Sequence, residues 1–241
     1  VVVVLALAFD FINGFHDTAN AIATCVSTRA MAPRTAVMMA AVLNFFGALY
    51  STGVAKTIAK DIVNPAEVTT YVMIAALVGA IFWNIVTWYF GIPSSSSHAV
   101  IGGIIGAGAA KDGFGILQVA GIMKIVLALI LSPLIGMALG FTIMTIFYWI
   151  FGNKPPGKVN RGFHRLQILS AALLSFNHGS NDAQKSMGII TLALVAAGMQ
   201  STLDVPLWVK ISCAFMMAFG TAMGGWRIIR TLGAKIFKLE P

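Results

Sequence analysis

Charge is what this sequence has least of. Asp, Glu, Lys and Arg make up 10% of its 241 residues against 58% hydrophobic ones, and the mean hydropathy is +0.87. That balance excludes an ordinary soluble domain, whose surface needs far more charge to stay in water. Cysteine is also scarce. Cys25 and Cys213 both lie inside apolar segments, which leaves no disulfide framework and no metal-ligand spacing, only a packing role. No basic stretch precedes Val1, so no cleavable signal peptide is visible and the chain is expected to begin inside its first span. No G-x-S-x-G elbow occurs, which argues against a membrane-embedded hydrolase built on Ser97 with Asp17 or Asp182. His16, His98 and His178 fall into no HxxxH or Cys/His pattern, and a structural hydrogen bond is the default for each. The formal charge of +8 reports orientation in a membrane protein and implies no nucleic acid partner.

What the chain has is apolar length. Crossing a hydrocarbon layer roughly 30 Å thick takes about 20 apolar residues of helix. Segments near 1–28, 35–55, 69–91, 94–110, 116–151, 166–199 and 206–225 approach or exceed that, which predicts an all-α polytopic membrane protein. The 116–151 run is long enough to tilt or to bend at Ser132-Pro133. GNKPPGKVNRGFHR, residues 152–165, reads as a linker between two halves.

Ten of the sixteen Lys and Arg residues cluster in three connections: Arg29 and Arg34; Lys154, Lys158, Arg161 and Arg165; Arg227, Arg230, Lys235 and Lys238. Elsewhere Lys56, Lys60 and Lys111 are balanced by Asp61, Glu67 and Asp112. The positive-inside rule makes the three basic connections, linker 152–165 included, cytoplasmic. Segments 1–28 and 166–199 then run in opposite directions.

Those two segments are also the ones interrupted by polar residues, INGFHDTAN at 12–20 and SFNHGSNDAQKS at 175–186. Gly14 to Asn20 aligns with Gly179 to Lys185, placing Asp17 over Asp182 and Asn20 over Lys185. Weak internal similarity between antiparallel spans is the signature of an inverted-repeat transporter with discontinuous helices and its substrate near the midplane. The first repeat is 1–151 and the second, apparently incomplete, 166–241. Asn13, Asp17, Asn20 and Thr24 share one stripe if the segment is helical. A carboxylate among amide and hydroxyl oxygens is a hard ligand set suited to Na⁺, or an acid able to carry H⁺. The bland alternative is mutual pairing that only fixes packing, but a mid-span Asp costs at least about 2.5–3.5 kcal/mol and so usually faces a cavity or a partner.

A third motif, GIPSSSSHAVIGGIIGAG at 91–108, sets Pro93 in the first turn of a helix with four serines after it. Hydroxyls and orphan N–H groups at a helix N-terminus suit an oxyanion such as phosphate or sulfate. If 69–91 and 94–110 form a re-entrant helical hairpin, its tip reaches the Asp motifs; a serine turn at the surface fits the parity equally well.

FINGFHDTANAIATCVSTRA, WNIVTWYFGIPSSSSHAVIGGIIGAG and SFNHGSNDAQKSMGI together resemble the inorganic phosphate transporter (PiT) family over nearly the whole chain. The resemblance implies a multi-pass cell (inner) membrane protein, not an enzyme, that carries inorganic phosphate by symport with Na⁺ or H⁺. Co-transport of a metal phosphate complex is the variant seen in some bacterial members. It implies no cofactor besides Na⁺ as coupling ion, and leaves a homo-oligomer open. Carried over residue by residue, the cation site is Asn13, Asp17, Asn20, Asn177, Asn181 and Asp182. The phosphate site is Thr18, Ser94, Ser95, Ser96, Ser97, Gln184 and Lys185. Lys185 cannot ligate Na⁺ as Asn20 can, and is expected to pair with Asp182 as an internal cation or to touch phosphate. A second serine tip after GGWRIIRTLGAKIF is absent, from which a shortened transporter is expected.

Overall fold

The computed structural model describes residues 1–53, 55 and 69–224. Expectations for Lys56, Lys60, Asp61 and Glu67, and for the basic run Arg227, Arg230, Lys235 and Lys238, concern residues outside these. The described residues form α1 (Val2–Ser27), α2 (Pro33–Tyr50), α3 (Thr70–Phe90), α4 (Ser96–Asp112), a 3₁₀ turn (Phe114–Ile116), α5 (Val119–Phe151), α6 (Pro156–Ala196) and α7 (Leu207–Met223). Every apolar segment expected from the sequence is a helix.

Local chemistry sets the boundaries. Arg29, in the left-handed region at φ 60°, closes the turn after α1, and Pro33 supplies the first residue of α2. At the end of α3, Gly91 adopts φ 66°, and the N–H groups of Gly91 and Ile92 donate to Trp88 and Thr87 carbonyls at 3.0 and 2.8 Å. Only a residue without Cβ takes that conformation cheaply, and it turns the chain back toward α1. Pro93 lies in this turn and not in the first turn of α4, which starts at Ser96 with Ser95 as cap.

Two expectations change. The polar motifs do not interrupt α1 or α6, both continuous through INGFHDTAN and SFNHGSNDAQKS; the discontinuity lies at 91–95, between α3 and α4. Polar side chains need no break when facing helices supply their partners. Pro133 sits inside α5, which runs on through it as helix, as a tilted or bent span would. Finally, 152–165 is a turn only over 152–155, because Pro156 takes the first helical position and no later proline stops the helix. At 41 residues, α6 is about 60 Å long, roughly twice the hydrocarbon thickness. Its basic first turns therefore extend beyond the layer.

Cross-helix contacts fix direction. Asp10 meets Ser186 at 2.6 Å, Asn13 meets Asp182 at 3.3 Å and Cys25 meets the Gln167 carbonyl at 3.0 Å. One number rises as the other falls, so α1 and α6 are antiparallel neighbours. Thr28 also donates to Gln167 at 2.7 Å, which puts the 28–32 turn and the basic start of α6 at one end of the bundle.

Four glycines show the internal repeat in three dimensions. A methyl on Gly14 would strike the Met217 carbonyl, and one on Gly220 the Phe11 carbonyl. Likewise a methyl on Gly179 would strike Asn44, and one on Gly47 the Phe176 carbonyl. The offset that carries Gly14 to Gly179 carries Phe11 to Phe176, and the offset that carries Gly47 to Gly220 carries Asn44 to Met217. So α1 crosses α7 as α6 crosses α2, with small residues admitting close backbones, the favoured device where lipid removes a hydrophobic drive. Helix α5 stands outside this packing: Gly121 is its one buried residue among those described, and its apolar side chains face outward.

Gly47→Ala and Gly220→Ala are each expected to lower the melting temperature of the detergent-solubilised protein, by an overpacking cost of about 1–3 kcal/mol. Gly79→Ala, where a methyl meets nothing within 4 Å, is the matched control and should not lower the melting temperature, since Ala favours a helix interior over Gly.

Candidate functional site

Asp17 lies near the middle of α1 and Asp182 well inside α6, and antiparallel packing brings them to one cleft. A cleft of about 220 Å³ is lined by Asp17, Asn20, Ala21, Leu174, Asn177, His178, Asn181 and Asp182. Ligand atoms of Asp17, His178 and Asp182 lie within 4.8 Å of one another. Two carboxylates that close repel unless a positive charge joins them.

Each carboxylate is held from behind. The His16 ring donates from Nδ1 to Asp17 Oδ1 at 2.7 Å, while its Nε2 faces the hydroxyls of Thr87 at 3.0 Å and Ser94 at 3.3 Å. The Ser96 hydroxyl bonds Asp17 Oδ2 and lies 2.8 Å from Asn13 Oδ1. Asn13 in turn donates its amide to Asp182 Oδ2, which also meets Lys185 Nζ at 2.9 Å and His178 Nε2 at 3.5 Å. His178 Nδ1 faces Asn44 Oδ1 at 3.1 Å. When Nδ1 carries the proton in that bond, Nε2 turns a lone pair toward two carboxylates, a nitrogen and oxygen set able to ligate a cation.

The serine tip reaches the same place. Ser94 donates to Thr87 at 2.9 Å, Ser95 caps α4 by accepting from the His98 N–H at 3.3 Å, and buried Ser96 touches Asp17. Ser97 is half-buried in the first turn and His98 is exposed. The tip thus meets α1 at its middle, which is the re-entrant arrangement and not a surface turn.

Asp17, Asn20, Asn177, Asn181 and Asp182 line the cleft, and Asn13, bonded to Asp182, reaches Asp17 through the Ser96 hydroxyl. Thr18 and Gln184 do not join them. The Thr18 hydroxyl turns to the Gly14 carbonyl and to Thr221 at 3.0 Å, facing α7. Gln184 accepts from the Ala55 N–H at 3.2 Å and bonds the Ser180 carbonyl. Sequence reasoning passed over His178 as a cleft member, although its i, i+4 spacing to Asp182 places both on one helix face. It also passed over Asn44 and Thr87, ordinary polar residues in spans that no motif marks.

The phosphate transporter family matches residues 13–159 and 152–241. A "Probable low-affinity inorganic phosphate transporter" of Bacillus subtilis is 56% identical, the alignment covering 100% of this chain and 73% of that protein. Its namesake in Rhizobium meliloti is 50% identical over 99% of this chain and 72% of its own length. Among solved structures, "The sodium-dependent phosphate transporter" superposes with a TM-score of 0.83 at 22% identity, covering 99% of this chain and 78% of that one. At that identity the superposition speaks for the fold, and the all-helical architecture agrees with it. The matched family runs through the paired Asp motifs and the serine tip alike, so the cleft belongs to a carrier and not to an enzyme: this chain is an integral membrane protein of the phosphate transporter family.

Proposed function

We propose that the chain moves inorganic phosphate across the cell (inner) membrane by symport with Na⁺, the cation in the Asp17, His178 and Asp182 cleft and the anion at the serine tip. The observation that carries this reading is the meeting of two membrane-embedded carboxylates with the N-terminus of α4. A cation there neutralises the carboxylates, and the reduced negative field lets an oxyanion approach the hydroxyls and N–H groups of Ser94 to Ser97. Each ion thereby raises the affinity for the other, which is the requirement for coupled movement. Asn20, Asn177 and Asn181 complete the oxygen ligand set, with Asn13 holding the carboxylates in register. Lys185 neutralises Asp182 when the cleft holds no ion. The inverted repeats are 1–151 and 166–241, and the basic end of the bundle faces the cytoplasm.

The test is uptake of labelled phosphate into proteoliposomes with Na⁺ and pH gradients imposed separately. Accumulation driven by an inward Na⁺ gradient is expected, and uptake indifferent to any cation gradient would defeat the reading. Asp17→Asn and Asp182→Asn should each reduce Na⁺-driven uptake about tenfold to a hundredfold, since a charged hydrogen-bonding contact contributes about 1.5–3 kcal/mol. Wild-type rates and unaltered Na⁺ dependence in both variants would remove these residues from the cation site. Lys185→Asn removes the internal cation that Na⁺ displaces from Asp182, so half-maximal uptake should be reached at lower Na⁺ than in the wild type, and parallel Na⁺ titrations of the two proteins check this.

A further inference from the structure

Asp10 is the one membrane-embedded carboxylate the cleft does not use among the described residues. It is fully buried in α1, one helical turn from Asn13. Its Oδ1 accepts from the Ser186 hydroxyl at 2.6 Å, and Oδ2 has no hydrogen-bond partner among the described residues. The groups facing it are Ser186 from α6 and the Cys213 thiol from α7, with Lys185 and Asp182 of α6 acting through space. Helices α2, α3 and α4, which also pack on α1, bring no titratable or charged group to it among the described residues. A carboxylate anion buried from solvent with a hydroxyl and a thiol for company, and no cation in contact among the described residues, is far more costly than the neutral acid.

The nearest cation is already committed. Lys185 adjoins Ser186 in the chain and contacts Asp182 Oδ2 at 2.9 Å, with no further hydrogen-bond partner among the described residues. Its ammonium is paired with Asp182 and acts on Asp10 through space. We propose that Asp10 is a proton-binding site linked to the cation cleft through Lys185, so that Na⁺ entering the cleft expels a proton from Asp10. Na⁺ takes over the charge of Asp182, the ammonium turns to Asp10, the carboxyl O–H bond breaks and the proton passes to water; loss of Na⁺ reverses each step. The inference rests on the proposed assignment of the cation cleft.

The repeat isolates the site. The offset that superposes Asp17 on Asp182 puts Ser175 in the place of Asp10 and Ala21 in the place of Ser186, and the helix equivalent to α7 offers Ala40 for Cys213. Ser175 is buried and satisfied by its own helix, its hydroxyl bonding the Ala171 carbonyl at 2.7 Å. The mirror position therefore holds no acid, and one chain has one such proton among the described residues.

The experiment is proton release by purified protein in weakly buffered detergent solution, followed with a pH dye on addition of NaCl against choline chloride. Wild type should release about one proton per chain, as linkage between the two sites requires. Asp10→Asn should release none while keeping the wild-type melting temperature. Absence of release from wild type, or equal release from Asp10→Asn, would overturn the proposal. Should Asp10→Asn fail to fold, dicyclohexylcarbodiimide, which attacks protonated carboxyls, tests the unaltered protein: labelling mapped to residue 10 and suppressed by Na⁺ supports the site, and labelling absent there or indifferent to Na⁺ refutes it. Failure of the transport reading shows separately, as proteoliposomes that accumulate no phosphate.

Discussion

A carboxylate inside a hydrocarbon layer has no water to fall back on, and the arrangement of this bundle follows from that constraint. Leaving Asp17 or Asp182 unpartnered would cost at least about 2.5–3.5 kcal/mol each. The protein meets the cost by placing them side by side on antiparallel helices, where Asn13 and Ser96 hydrogen-bond both to the carboxylates and to each other. Such a network forms only if α1 and α6 are positioned to a fraction of an ångström. Gly14 and Gly220 on one side, Gly179 and Gly47 on the other, provide that by letting α1 rest on α7 and α6 on α2 backbone against backbone. Packing and chemistry are therefore one problem here: the glycines, which have no side chain to offer the acids, determine whether the acids can be satisfied.

The legible part of the fold was legible because bilayer thickness imposes a length. Segment limits read from hydropathy fall within a few residues of the helices, except at α6, whose basic first turns are helical yet not apolar and so escape a hydropathy reading. The paired motifs revealed the repeat because Asp in a span is rare enough to align on. Helix continuity was the misreading. Polar residues in INGFHDTAN look like a break only when the helix is imagined alone in lipid, whereas α3, α4, α6 and α7 supply partners for Asn13, His16, Asp17 and Thr18. Thr18 shows the limit of a motif: it lies one residue from Asp17, about 100° around the helix, and so turns to Thr221 and away from the cleft. Gln184 and Lys185 divide in the same way. No periodicity tells which of two adjacent polar residues turns toward the cleft until the neighbouring helix is in place.

The hairpin and the outlying helix illustrate opposite uses of the same apolar composition. Helices α3 and α4 fold back on each other, with Gly103 of α4 set against the Ala76 backbone of α3, so the polar tip is held deep in the bundle by apolar legs. Phe15 of α1 packs edge-on against Trp88 of α3 at 5.2 Å, anchoring the tip-bearing leg beside His16 and Asp17. Helix α5 keeps its apolar side chains outward, and its recorded ring contacts are with Phe163 near the start of α6. In water that surface would be an aggregation hazard; in lipid it is ordinary solvent contact, and no packing partner is needed to stabilise it.

The two repeats agree in backbone and disagree in charge. Glycine contacts superpose position for position, because an inverted repeat can exchange outward and inward arrangements of similar energy only if the crossings on both sides are alike. The side chains differ at the points where chemistry occurs: Asn20 answers to Lys185, Thr18 to Ala183 and Asp10 to Ser175. A wholly symmetric interior would offer two equal sites. The Lys185 ammonium in one repeat makes the two carboxylates of the cleft unequal, and on the proposed cation assignment it is what an incoming ion displaces. On that assignment the coupling between ions originates in the divergence of the repeats, and the path between the two faces of the membrane in their likeness.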